Sequence, residues 1–179
     1  MNFLSEADVQ NLVKRNHSIQ KDLLDTLSIN INPLFIAEDK YINGITADFS
    51  IIDTNTNSIN AIMECKSGNI NVTDYVRGIG QLFQYEYFYE KLIPHKSYKY
   101  SNDFKTIYLF PSSVIKNNYF NIARFKYPST LNIIELNEET NAVRLINNDL
   151  LTQLEIAEND NLVTISPYYI RDNRIFELY

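Results

Sequence analysis

The sequence predicts a layered α/β (α+β) domain, with a central mixed sheet of four to five strands flanked by helices. Three observations carry this reading. Apolar residues recur at helical spacing over the first 28 positions. Short apolar runs separated by turn-rich residues follow between positions 34 and 66. A second long helical pattern then leads into another short strand. The 179 residues, 45% apolar and 13% aromatic, describe one globular domain that buries roughly two-thirds of its unfolded surface. Charged residues make up only 21%, and the apolar content is too high for disorder.

The elements follow in order. Ser5 is placed to cap a first helix, with Asp8 in the capping-box position and Leu4 before it. Val9, Leu12, Val13, Ile19, Leu23, Leu24 and Leu27 carry the helical pattern to Thr26-Leu27-Ser28. Leu34-Phe35-Ile36-Ala37 reads as a strand, ended near Asn43-Gly44. Ile45 to Ile52 and Ile59 to Lys66 flank the polar stretch 53–58, which is a hairpin signal. The pattern then predicts a helix from about Thr73 to Leu92, with Val76, Ile79, Leu82, Phe83 and Leu92 among its apolar positions. Thr106 to Phe110 is a strand closed by Pro111. Beyond it come strands at Leu131 to Leu136 and Ala142 to Ile146, and a helix from about Asp149 to Ala157. The last residues, Ile170 to Tyr179, are apolar and carry no helix stop, as expected either of a packed terminal helix or, the reading preferred here, of the N-terminal part of a longer protein.

Composition excludes several chemistries. Cys65 is the only cysteine, so neither an internal disulfide nor a multi-cysteine zinc site is available. His17 and His95 are too few for a histidine-rich metal centre and read as surface residues. No Gly-x-Ser-x-Gly elbow, Walker-type loop or dinucleotide-binding glycine pattern occurs. No run approaches the ~20 apolar residues of a membrane span, and the first residues lack the basic flank and apolar stretch of a signal peptide. A reducing cytoplasm is the expected location. The net charge of −6 argues against binding nucleic acid by bulk charge. Metal-binding carboxylates lower formal charge in the same way, however, without repelling phosphate once loaded.

The hairpin carries the chemistry. Side chains alternate faces along a strand, so Asn60, Ile62, Glu64 and Lys66 share one face, while Ala61, Met63 and Cys65 share the other. If the hairpin is symmetric about Thr56, Asp48 stands opposite Glu64, since both lie eight residues from the centre. Phe49, Ile51, Ala61, Met63 and Cys65 then form one apolar layer, with Cys65 acting as a small core side chain. The carboxylates of Asp48 and Glu64 come side by side at a Cβ separation of about 5 Å. Two opposed acids are destabilising unless a cation neutralises them, and oxygen ligands suit Mg²⁺. Lys66 lies one step along the same face. A second Glu-x-Lys, Glu38-Asp39-Lys40, has no opposed acid and is the poorer candidate.

These residues resemble the PD-(D/E)XK nuclease superfamily: an acid on one strand in Thr46-Ala47-Asp48-Phe49, then Ala61-Ile62-Met63-Glu64-Cys65-Lys66 on the next. The following helix, Gly80-Gln81-Leu82-Phe83-Gln84-Tyr85, is similar to the Gln-x-x-x-Tyr element of RecB-like and restriction-type members. Arg77, Gln81 and Tyr85 recur every four residues and share a helix face. The resemblance covers roughly residues 1–111 and leaves 112–179 as an extension of the domain. It departs from the family in lacking the proline before the first acid. It implies a restriction-endonuclease-like core and phosphodiester hydrolysis with Mg²⁺, for which Mn²⁺ can substitute. Asp48, Glu64 and the Cys65 main-chain carbonyl would hold the metal, and Glu6 is a candidate for the further acid some members place on the first helix. Lys66 would orient or help deprotonate the water, and Gln81 would position the water, Lys66 or a backbone phosphate. Arg77 and Tyr85 are candidate nucleic-acid contacts. DNA is the expected substrate and a bacterial restriction or phage-defence endonuclease the expected role. The expected partners are a second copy and a C-terminal DNA-recognition domain. The competing expectations are a RecB-type repair or recombination nuclease and a nuclease-like interaction module without activity.

Overall fold

A computed structural model describes residues 4–115 and 131–147, all but the last within one compact unit, Met1–Ile146. The helix expected at 149–157 and the apolar end at 170–179 lie outside the described residues. The elements are α1 (Glu6–Arg15), α2 (His17–Thr26), β1 (Pro33–Lys40), β2 (Thr46–Asp53), β3 (Ser58–Cys65), α3 (Val72–Glu90), β4 (Lys99–Pro111), α4 (Ser112–Ile115), β5 (Leu131–Leu136) and β6 (Val143–Leu145). The strands form one sheet in the order β1-β2-β3-β4-β5-β6. β3, β4 and β5 run parallel, and the outer pairs are antiparallel. The α/β class stands as expected, but the mixed sheet has six strands rather than four to five. The weak apolar run at 143–145 completes it by pairing with β5.

Ser5 and Asp8 close the predicted capping box, the Ser5 Oγ accepting from the Asp8 N–H at 3.1 Å and the Asp8 carboxylate accepting from the Ser5 N–H at 3.0 Å. The expected single helix is two. Asn16 takes an extended conformation, and its side chain accepts the N–H groups of Ser18 and Ile19, capping a new helix. An asparagine competes with the helical backbone for these donors, which is why it caps rather than continues. Val9, Val13, Ile19, Leu23 and Leu24 bury against Phe49, Ile51, Ala61, Met63, Cys65, Ile107 and Leu109 of the sheet. The apolar layer predicted from strand alternation is therefore the floor of the main core.

The opposite face lies under α3. Its buried residues are Tyr75, Gly78, Leu82, Tyr85 and Phe88, whereas Val76, Phe83 and Leu92, read as apolar helix positions, are exposed. Tyr75 stacks on Tyr108 and Phe110 of β4. Gly78 is required here: a Cβ would stand 2.2 Å from the Tyr108 hydroxyl and 2.9 Å from Lys66 Cε. Tyr108 is held in place by donating to the Tyr75 carbonyl at 2.6 Å. The helix therefore lies close on the sheet just where Lys66 passes beneath it.

Candidate active site

The β2–β3 register begins as counted from Thr56: Phe49 pairs with Met63, Ser50 with Ile62 and Ile51 with Ala61. It then slips by one at a bulge, pairing Ile52 with Ile59. Asp48 and Glu64 stand one step beyond the last regular pair. The β1–β2 register likewise passes over Glu38 and Asp48, and Glu38 has left-handed backbone (φ 52°). Asp48 thus sits where pairing lapses on both sides. Its carboxylate fills the gap by accepting the Cys65 N–H through Oδ2 at 2.6 Å and the Gln10 amide through Oδ1 at 2.8 Å.

Glu64, almost wholly buried, faces the same space. Its Oε1 lies 3.3 Å from Lys66 Nζ, and its Oε2 accepts from Gln81 Nε2 at 3.2 Å and the Tyr85 hydroxyl at 3.4 Å. Lys66 Nζ also donates to Glu6 Oε2 at 2.9 Å. A backbone hydrogen bond from Gly68 to Leu4 ties the start of α1 beside the end of β3, which brings Glu6 within reach. Glu6, Asp48, Glu64, Lys66, Ser67, Asp74, Arg77 and Gln81 line one half-open polar cavity of about 270 Å³.

The electrostatics are unbalanced. Burial pushes Asp48 up, against the Cys65 N–H and Lys66, while Glu6 adds to the rise. Burial and then the Asp48 charge push Glu64 up further, and Lys66 only partly offsets them. Burial pulls Lys66 down, but Glu64, Glu6 and Asp48 outweigh it, so its ammonium is retained more firmly than usual. Lys66 thus faces three acids, Glu64, Glu6 and Asp48.

Folding therefore brings Asp48, Glu64, Lys66, Gln81, Glu6 and Arg77 to one cavity, and Cys65 turns its thiol into the core. Tyr85 is a correction: it is fully buried and its hydroxyl holds Glu64, so it has no free face for nucleic acid. Arg77 is exposed but paired with Asp74 at 2.9 Å. Gln10 was not foreseen. Its only sequence signal is a place four residues after Glu6, on the same flank of the helix. His95, read as a surface residue, is buried against Asp39. Among the described residues no three His, Cys, Asp or Glu side chains form a ready-made metal cage. The donor set nonetheless fits Mg²⁺, which binds through one or two carboxylates, keeps several waters, and would offset the repulsion that Glu6 adds at Asp48 and Asp48 adds at Glu64. No helix among the described residues is long and apolar enough to cross a membrane. Comparison with family models, curated proteins and solved structures finds no match.

Proposed function

We propose that the chain is a metal-dependent nuclease that hydrolyses DNA phosphodiester bonds at the Asp48–Glu64–Lys66 cavity. One observation carries this reading: the half-buried Asp48 and the buried Glu64, both raised by burial and Glu64 further by the Asp48 charge, share a solvent-open cavity with a single lysine. A structural ion pair has no use for the surplus acid. Asp48, Glu64 and the Cys65 carbonyl would hold the divalent cation, which, when bound, acidifies water and polarises a phosphate. Lys66, held as an ammonium by Glu6 and Glu64 in the metal-free protein, orients the water or binds a phosphate oxygen and offsets charge developing on phosphorus. Gln81 and Tyr85 position Glu64, and Gln10 positions Asp48. Arg77 on the cavity rim supplies a contact for a neighbouring phosphate when released from Asp74. A restriction or phage-defence endonuclease is the specific version we favour.

The test is incubation with supercoiled and linear DNA in Mg²⁺, Mn²⁺ or EDTA, beside Glu64→Ala and Lys66→Ala. Metal-dependent cutting lost in both variants is the expected result. No cutting by this chain or by any longer gene product, with no metal bound at Asp48 and Glu64, sinks the nuclease reading.

A further inference from the structure

Lys66 ends in an ammonium with two carboxylate neighbours, Glu6 Oε2 at 2.9 Å and Glu64 Oε1 at 3.3 Å. The two acids are not equivalent. Glu64 is almost wholly buried and is already supplied by Gln81 and the Tyr85 hydroxyl. Among the described residues Lys66 is the one donor to the Glu6 carboxylate. The Glu6 side chain is 44% exposed, that of Lys66 only 10%. One partner of this ion pair is wet and the other dry.

Separation therefore costs the two members unequally. A half-exposed acid gains little from its partner and is rehydrated by a turn of its own side chain. Lys66 cannot follow it into water, because its stem lies beneath α3 at Gly78. A buried cation stripped of its anion is costly, so whatever displaces Glu6 must bring a negative oxygen of its own. The Glu6 oxygen already stands in a half-open cavity at the distance a phosphate oxygen takes from an ammonium. The backbone holds Glu6 in this place. Ser5 and Asp8 close the capping box around it, and the Gly68 N–H donates to the Leu4 carbonyl at 2.9 Å, tying the start of α1 beside the end of β3.

We propose that Glu6 is a built-in stand-in for the substrate's phosphate: it occupies Lys66 in the resting protein and gives way to a phosphate oxygen when substrate binds. This role rests on the cavity being a phosphodiester site. It is opposite in sign to that of a metal ligand, since an acid on Lys66 competes with substrate instead of helping to hold it.

Inorganic phosphate titrated into the metal-free chain in EDTA, followed by the NMR signals of the Lys66 main-chain and Gln81 side-chain amides, tests this without any cleavage. Glu6→Gln should bind phosphate roughly three- to tenfold more tightly than wild type, because the competing carboxylate and its repulsion go together. The gain should vanish on a Lys66→Met background, where no ammonium is left to contest. That cycle separates direct competition from the general effect of one negative charge fewer. With DNA and Mg²⁺, Glu6→Gln should also lower KM. Unchanged or weaker phosphate binding in Glu6→Gln, or a gain that persists in Glu6→Gln/Lys66→Met, would overturn the proposal. Phosphate binding as expected in a protein that never cuts DNA would leave Glu6 competing at Lys66 and count against the nuclease reading alone.

Discussion

Asp39 and Glu64 are both buried acids, yet their surroundings move them in opposite directions. Burial pushes Asp39 up, but hydrogen bonds from His95, Lys96 and Ser50 outweigh it and hold the carboxyl at about 2. With the acid ionised, His95 Nε2 carries the proton and donates to Oδ2 at 2.8 Å, while Lys96 takes the other oxygen. Tyr41 stacks flat on the His95 ring at 3.7 Å and bonds Ser50 at 2.9 Å, sealing the cluster. Glu64 instead shares one lysine with Asp48 and Glu6, and is raised. The first cluster is electrically complete within the chain and ties the loop after α3 to β1. The second holds more acid than the chain's own lysine balances. Buried charge alone does not mark a functional site; an unbalanced count of charges, open to solvent, does.

The largest separation between the two should be in activity. Glu64→Gln or Asp48→Asn should lower metal-dependent DNA cleavage by about 10²–10⁴-fold, while Asp39→Asn, which does not line the cavity, should leave cleavage per folded molecule unchanged. A matched loss in Asp39→Asn would mean that the loop tie, not the cavity, governs cutting.

In stability the order reverses. Asp39→Asn removes the charge and sets an amide NH₂ against one of the two donors, His95 or Lys96, and should cost about 1–3 kcal/mol, or roughly 2–4 °C of Tm per kcal/mol for a chain of this size. Because its folded pKa is depressed, Asp39 contributes stability above the unfolded carboxylate value near 3.9, and that contribution is lost as pH falls toward about 2. Acid melts of wild type and variant should therefore converge over that window.

Glu64→Gln should stabilise the metal-free protein. A raised acid keeps its proton in the folded state while the unfolded chain ionises, so wild-type stability falls as pH rises above the unfolded carboxylate value. The variant escapes this, with a gain of roughly 1–2 kcal/mol near pH 8 that vanishes near pH 4. Thermal melts in EDTA at the two pH values check it, and a destabilised variant at pH 8 would mean that Lys66 already balances the site.

The smallest effects separate two glycines on α3. Gly80→Ala should add up to about 1 kcal/mol through helix propensity, since nothing lies within 4 Å of its Cβ. Gly78→Ala should cost about 1–3 kcal/mol by overpacking against Tyr108 and Lys66. Denaturant midpoints of the pair should move in opposite directions.

Much of the hairpin was legible because its information is local. The two-residue period sorted Phe49, Ile51, Ala61, Met63 and Cys65 to the core, and counting outward from Thr56 placed Asp48 beside Glu64. The bulge at Ile51/Ile52 was invisible, but it falls on the turn side of the acids and leaves their register intact. The break of the first helix at Asn16 was misread because its apolar pattern runs on through both segments. Gln10 and His95 could not be read at all: their partners Asp48 and Asp39 lie 38 and 56 residues away in the chain. The exposure of Val76 and Phe83 was missed for a related reason, since a helix carrying apolar residues all round does not say which of them the sheet will cover.

Side-chain periodicity, capping and turn chemistry act over a few residues, and they suffice to decide the α/β class, the hairpin and the face on which the acids lie. Which acid is neutralised is a different matter. It depends on the dielectric around each carboxylate and on which donors packing brings within about 3 Å, as His95 and Lys96 for Asp39 or Lys66 for the Asp48–Glu64 pair. Coulombic and desolvation energies are set by distance and burial rather than by order along the chain. Only the folded protein could therefore show that one buried acid is held ionised by its neighbours and the other is raised by its own.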